Sequence, residues 1–208
     1  LNNKLLAELW FGYNPGGTAS YLNPWFGGER QLYYKAGLYS MTIKSKTLQT
    51  RQRFNEFHRG FTYTFGKRWG YHTYSTVAAG YDYIEIPREY SYLLSSGQVH
   101  QHIPSIGVGF QYDTRDLQEY PRNGWWMSYG ITGFFNPQLV EHQLFSADVR
   151  RYVRLYKDVS LALRLNIDLS RGDTPFYSRY YLGYSERMRG QFYDAMEGDS
   201  RSIFMAEI

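Results

Sequence analysis

Five histidines, His58, His72, His100, His102 and His142, are the side chains best suited to metal ligation or proton transfer, and they are scattered along the chain. Only His100 and His102 have ligand-like spacing, at a loop-to-strand edge with no carboxylate close in sequence, so no metal centre is expected. Asp113 and Asp116 are of the right type to divide the roles of general acid and base. Arg115 stands between them in a turn-rich stretch, which reads better as a salt-bridged hairpin link. No serine sits in a nucleophile elbow with a defined histidine partner, and no glycine-rich phosphate loop precedes a helix. With no cysteine, thiol catalysis, disulfides and Cys-type zinc sites are all excluded. The chain is expected not to be an enzyme and to need no cofactor.

Composition narrows the class. In 208 residues, 23 Lys+Arg stand against 19 Asp+Glu, a net charge of +4 that is too mild to imply a nucleic-acid partner. Basic and aromatic residues interleave, as in GKRWGYHTY, but interfacial and inward positions of a barrel explain this better than base stacking. Tyr 22, Phe 13 and Trp 5 make the chain rich in rings while its mean hydropathy stays at −0.55. Such ring content argues against disorder. No window approaches the 18 or so apolar residues of a membrane-spanning helix, so any bilayer crossing must be made by strands.

The elements that would position these residues are strands. Val159, Leu161, Leu163, Leu165, Ile167 and Leu169 alternate with Ser160, Ala162, Arg164, Asn166 and Asp168, a period of two sustained over about 33 Å at the rise of a β-strand. Trp125, Met127, Tyr129 and Ile131 alternate with Ser128, Gly130 and Thr132 in the same way, as do Phe61, Tyr63 and Phe65 with Thr62, Thr64 and Gly66. Breaks at Gly, Pro and Asn clusters predict ten strands near 4–13, 18–23, 29–44, 50–66, 70–86, 100–114, 124–136, 141–155, 158–171 and 200–208. Short links such as NPGG (14–17), GKRWG (66–70) and YKD (156–158) alternate with long ones, notably 87–99 and 172–199, the asymmetry of an outer-membrane meander. Period alone does not tell inside from outside, and a soluble sandwich or lipocalin-like barrel has the same alternation. Strand length, and rings near strand ends (Trp10, Trp25, Trp69, Trp125, Phe134), favour a membrane barrel with aromatic girdles.

Two motifs carry a resemblance. Tyr112 to Trp126, YDTRDLQEYPRNGWW, resembles the D-x-R-D … P-x-x-G-W turn of the bacterial surface antigen family, the BamA/TamA-like outer-membrane assembly and translocation barrels. Its residues here are Asp113, Arg115, Asp116, Pro121 and Gly124. Pro175 to Asp199 resembles the family's P-F … G-G … R-G-Y/F loop, with Met188, Arg189 and Gly190 at the centre, followed by Gln191 and Phe192. The family usually has an aromatic directly after R-G and two glycines upstream. Gln191 and the single Gly183 depart from that. Ser20 to Gly28, SYLNPWFGG, is similar to a third, weaker family turn.

The resemblance implies an all-β fold: an antiparallel transmembrane β-barrel of sixteen strands preceded by periplasmic POTRA domains, of which residues 1–208 would supply ten strands. By that reading the chain is an outer-membrane β-barrel segment, with POTRA domains and final strands outside it. The turn at Asp113–Gly124 would be periplasmic, and the Arg189 loop would fold back into the lumen, where the family's arginine meets an acid on strand thirteen, beyond Ile208. Within this chain Arg189 would take an acid such as Asp168 or Glu197, remain hydrated, or leave the loop unpinned. The implied function is outer-membrane protein assembly or polypeptide translocation in the bacterial outer membrane. The partners implied are outer-membrane lipid, unfolded outer-membrane or secreted clients and periplasmic accessory proteins. A passive pore or adhesion barrel, and a membrane anchor for a fused patatin-like lipase, are the alternatives.

Overall fold

The computed structural model describes residues 3–94, 96–135, 142–157, 159–183 and 196–208. Ten strands form one antiparallel sheet: β1 (Lys4–Trp10), β2 (Gly16–Phe26), β3 (Leu32–Lys44), β4 (Asn55–Trp69), β5 (Thr73–Glu85), β6 (His100–Asp113), β7 (Gly124–Phe134), β8 (His142–Tyr156), β9 (Val159–Gly172) and β12 (Ser200–Glu207). Each pairs with its neighbour in chain order, and β1 and β12 are the two edges. A separate small hairpin, β10 (Tyr180–Leu182) with β11 (Met196–Gly198), lies in the long connection between β9 and β12. Among the described residues the remaining helical structure is confined to three short 3-10 turns, at 28–30, 88–93 and 176–178.

All ten predicted strands are present, with shifted ends. The GKRWG segment, read as a link, belongs to β4 as far as Trp69, and the turn follows at 70–72. Gly66 does not break the strand. Its missing side chain makes room for Tyr33 of β3, whose ring carbon would lie 2.2 Å from a Cβ there. The glycines of NPGG likewise begin β2, and that short link lies at the same end of the sheet as the long ones.

Register assigns every side chain to a face. On β9, Leu165 lies opposite Val149 of β8 and Phe204 of β12, while Arg164 lies opposite Arg150 and Met205. Carried across the ladder, one face bears Leu5, Leu9, Leu38, Phe61, Val77, Ile106, Val108, Ile131, Leu165 and Phe204, each between 44 and 80 % exposed. A continuous apolar belt of this extent is unfavourable in water and favourable against acyl chains. The other face carries Glu8, Lys35, Glu56, His58, Arg68, Asp82, Gln111, Asp148, Arg164 and Asp168 amid Gly, Ser and Thr.

The polar face is concave. A flat sheet would hold β2 and β7 about 24 Å apart at ~4.8 Å per strand, yet side chains from both line one cavity of about 380 Å³, so the sheet curls strongly. A second sign is the Thr47 hydroxyl, next to β4, which donates to Glu197 of β11 at 3.1 Å although 150 residues separate them. The buried apolar cluster sits at the long-link end, where Phe54, Ile84, Ile86, Leu94, Ile103 and Phe176 pack together under Tyr90 and Phe134. It joins loops to the inner wall and does not fill the centre. The interior along the strands remains polar, as a lipid-facing exterior requires.

Candidate functional site

Three groups of side chains occupy the inner face and its two ends. The first is the link between β6 and β7, which holds the turn motif. Arg115 grips Asp113 in a two-pronged pair, Nε to Oδ1 at 2.9 Å and Nη2 to Oδ2 at 2.7 Å, and its Nη1 donates to the Gln118 carbonyl at 3.1 Å. Asp116 Oδ1 accepts the backbone N–H groups of Leu117, Arg122 and Asn123 at 2.9, 2.9 and 3.2 Å. These donors, Asn123 first, hold its carboxyl below the usual range, although the group is otherwise exposed to solvent. Arg115 is raised above its ordinary value, chiefly by its bond to Asp113. Gly124 has φ +119°, and a Cβ there would lie 2.3 Å from the Thr114 carbonyl. Pro121 is half-buried just before it. Each motif residue except Pro121 thus has an identifiable geometric task. The carboxylates of Asp113 and Asp116 are occupied in holding the link, which leaves neither placed as an acid/base pair.

The second group is a set of ion pairs on the inner wall of β8, β9 and β12. Asp148 accepts from Arg150 of its own strand at 2.9 and 3.0 Å and from Arg164 across the ladder at 2.7 and 3.1 Å. Arg150 and Arg164 are direct register partners, so without the carboxylate between them two like charges would face each other. Arg150 also lies 4.4 Å over the Trp126 ring. Farther along, Asp168 takes Arg201 of β12 at 2.6 and 3.0 Å, and Arg201 reaches the Tyr181 carbonyl at 3.1 Å. Two-pronged guanidinium–carboxylate pairs fix geometry as well as charge. The pairing of these residues lay hidden in the sequence, although Asp148, Arg150 and Arg164 recur at even positions on strands whose odd positions are mostly apolar.

The third group closes the long-link end. Glu197 accepts from the Thr47 hydroxyl and from the Leu48 N–H at 2.5 Å, with Arg179 at 3.5 Å. His142 stacks on Phe134 at 4.5 Å, and its Nε2 is 3.0 Å from the Ser178 hydroxyl. Phe176 packs with Ile84 of β5 and Ile103 of β6, and Tyr177 against the same cluster, which places this turn against the inner wall. Burial, with the Asp82 carboxylate adding to it, raises the Tyr177 phenol well above its ordinary value. Met188, Arg189, Gly190, Gln191 and Phe192 lie outside the described residues. Of the acids expected for Arg189, Asp168 is engaged by Arg201 and Glu197 by Thr47, Leu48 and Arg179.

His100 and His102 are on the outward face of β6, packed on Tyr83, with the Tyr81 hydroxyl 2.5 Å from His102 Nδ1. The sequence places no carboxylate near this pair, but register sets Glu85 opposite His100, because the 86–99 connection brings β5 back beside β6. Among the described residues no cluster of three or more His, Asp or Glu side chains is arranged to hold a metal ion. The geometry offers a lipid-facing belt, a charged inner wall and loops that cross one mouth.

The model of the Omp85 superfamily domain matches residues 1–205. No sequence among curated proteins matches. Among solved structures, the chain is similar to BamA from Haemophilus ducreyi lacking POTRA domains 1–3, with a TM-score of 0.68 at 11 % identity, over 82 % of this chain and 36 % of that one. At that identity the likeness speaks for the fold, an antiparallel outer-membrane β-barrel wall. The chain spans about a third of the length of the BamA chain it matches. Inner and outer faces, the Asp113–Gly124 link and a family match over nearly every residue agree: the chain belongs to the Omp85 superfamily, to which the surface antigen barrels resembled by its motifs correspond.

Proposed function

We propose that this chain forms part of the wall of a bacterial outer-membrane barrel that inserts outer-membrane proteins or translocates polypeptides. In this reading its ten strands are a sector of a sixteen-stranded barrel that follows POTRA domains. Its partners are outer-membrane lipid, unfolded outer-membrane or secreted clients and periplasmic accessory proteins. The short links, including Asp113–Gly124, face the periplasm.

The observation that carries the reading is the crossing of the concave face by loops, with Thr47 bonded to Glu197 and Phe176 packed on Phe54, Ile84 and Ile103. A passive pore needs an open mouth, whereas an assembly or translocation barrel has to stay closed at rest. No covalent chemistry is involved. The test uses the protein from its full-length gene in proteoliposomes. Addition of an unfolded outer-membrane client is expected to give faster client folding than empty vesicles, with small, flickering currents in planar bilayers. Large steady currents with no acceleration of client folding would identify a passive pore instead.

A further inference from the structure

At the short-link end of the inner wall one cation, Arg68, has no counter-charge among the described residues. Arg68 of β4 lies in a row with Tyr74 of β5, Gln111 of β6 and Ser128 of β7, all register partners and all inward. Its guanidinium carbon is 5.5 Å from the Tyr74 ring, 5.7 Å from Tyr33 and 5.9 Å from Trp25. Contacts at this range are near the outer limit of cation–π attraction and leave most of the charge uncompensated. Arg68 Nε is buried and has no hydrogen-bond partner among the described residues. The one acid among the described lining residues, Asp113, is already held in two-pronged fashion by Arg115.

Arg68, Tyr33, Tyr74, Gln111 and Ser128 line the cavity of about 380 Å³ that runs from β2 to β7. Gly66 lets the Tyr33 ring lie flat across the wall, and Gly109 leaves the floor open. Arg68 is among the residues that line the cavity, and the edge of a planar guanidinium matches the two oxygens of a carboxylate. Gln111 and Ser128 supply neutral donors beside it, and the aromatic walls suit an apolar neighbouring side chain. An unpaired, partly buried cation binds such a group with little desolvation left to overcome.

We propose that this cavity is a binding site for a peptide carboxylate, with Arg68 as its anchor. The choice of a polypeptide as the source rests on the proposed function; the affinity of the pocket for a carboxylate does not. The test is titration of the full-length protein, refolded in detergent micelles, with a Leu-Leu-Phe peptide bearing a free C-terminal carboxylate. The same peptide with a C-terminal amide and inorganic phosphate serve as comparisons. The free-acid peptide is expected to bind and to change the fluorescence of Trp25 and its neighbours, while the amide binds at least tenfold more weakly. Arg68→Gln should abolish the difference between acid and amide. Ser128→Trp, which keeps the charge and fills the cavity, should weaken the acid peptide as well, and both variants must show wild-type heat-modifiability on gels. Acid and amide binding equally, or an acid preference retained in folded R68Q, would overturn the site. Phosphate displacing the peptide at equal concentration would show a general anion site and overturn the assignment to peptides. Client folding in proteoliposomes, measured on the same preparations, tests the functional reading separately.

Discussion

Replacing Leu165 by Arg tests the orientation of the whole wall. Leu165 is 44 % exposed on the apolar face of β9, six residues from Val159 and seven from Gly172. At ~3.3 Å per residue and a tilt of about 40°, these separations put it roughly 15 and 18 Å in depth from the two strand ends, close to the bilayer midplane. Its register partners are Val149 and Phe204, so an arginine there meets no acid. The expected cost is about 2–4 kcal/mol for L165R, against about 0–1 kcal/mol for Val159→Arg at the strand end. Leu163→Arg, on the same face, should fall between them. Arg164→Leu points inward and leaves Asp148 with Arg150, so it should affect insertion less than L165R. Refolding the full-length variants into vesicles, with urea titration read on heat-modifiability gels, measures the series. Equal stability of L165R and V159R, or L165R indistinguishable from wild type, would refute the assignment of this face to lipid.

Other consequences follow from the links and the inner wall. Gly124→Ala forces a side chain into φ +119° and against the Thr114 carbonyl, so a loss of about 1–3 kcal/mol from backbone strain, with further loss from the clash, should lower the urea midpoint. Asp148→Leu leaves Arg150 and Arg164 facing each other. A loss of about 1–3 kcal/mol is expected, below the range for fully buried pairs because the two arginines are partly hydrated, and a D148L/R164L double variant should recover part of it. Asp116 has a depressed carboxyl pKa in the folded link, so its contribution is complete above the unfolded value near 4 and is lost as pH falls through the folded value. Hydrogen exchange at Leu117, Arg122 and Asn123 should therefore accelerate selectively in acid, and Asp116→Ala should remove that pH dependence. Phe54→Ala opens the apolar cluster under the loops and should expose residues 86–94 to protease while the strands stay protected.

Much of the fold was legible from spacing. A period of two needs only the local backbone, because successive side chains of a strand point to opposite faces whatever its neighbours do. So the ten strands, and the separation of Leu165 from Arg164, could be read directly from the sequence. The Asp113–Gly124 link was legible for the same reason, since an Arg between two Asp residues and a Gly before Trp125 are local turn chemistry. Even local reading failed where a neighbour intervened. Gly66 and Gly70 look alike in sequence, but Gly66 stays in β4 because Tyr33 covers it, and the chain turns only at Gly70, with φ +76°.

What the sequence determined by itself was which residues of each strand share a face; which side chains of neighbouring strands meet on that face was decided by the tertiary structure. Partnership across a sheet depends on register, and register is set jointly by link lengths, by the irregularity between Asn23 and Phe26, and by the curl of the wall. A shift of two residues between β9 and β12 would keep every apolar side chain outward yet move Asp168 out of register with Arg201. The same physics left Arg68 among three rings with no acid opposite, and brought Glu197 across five strands to Thr47.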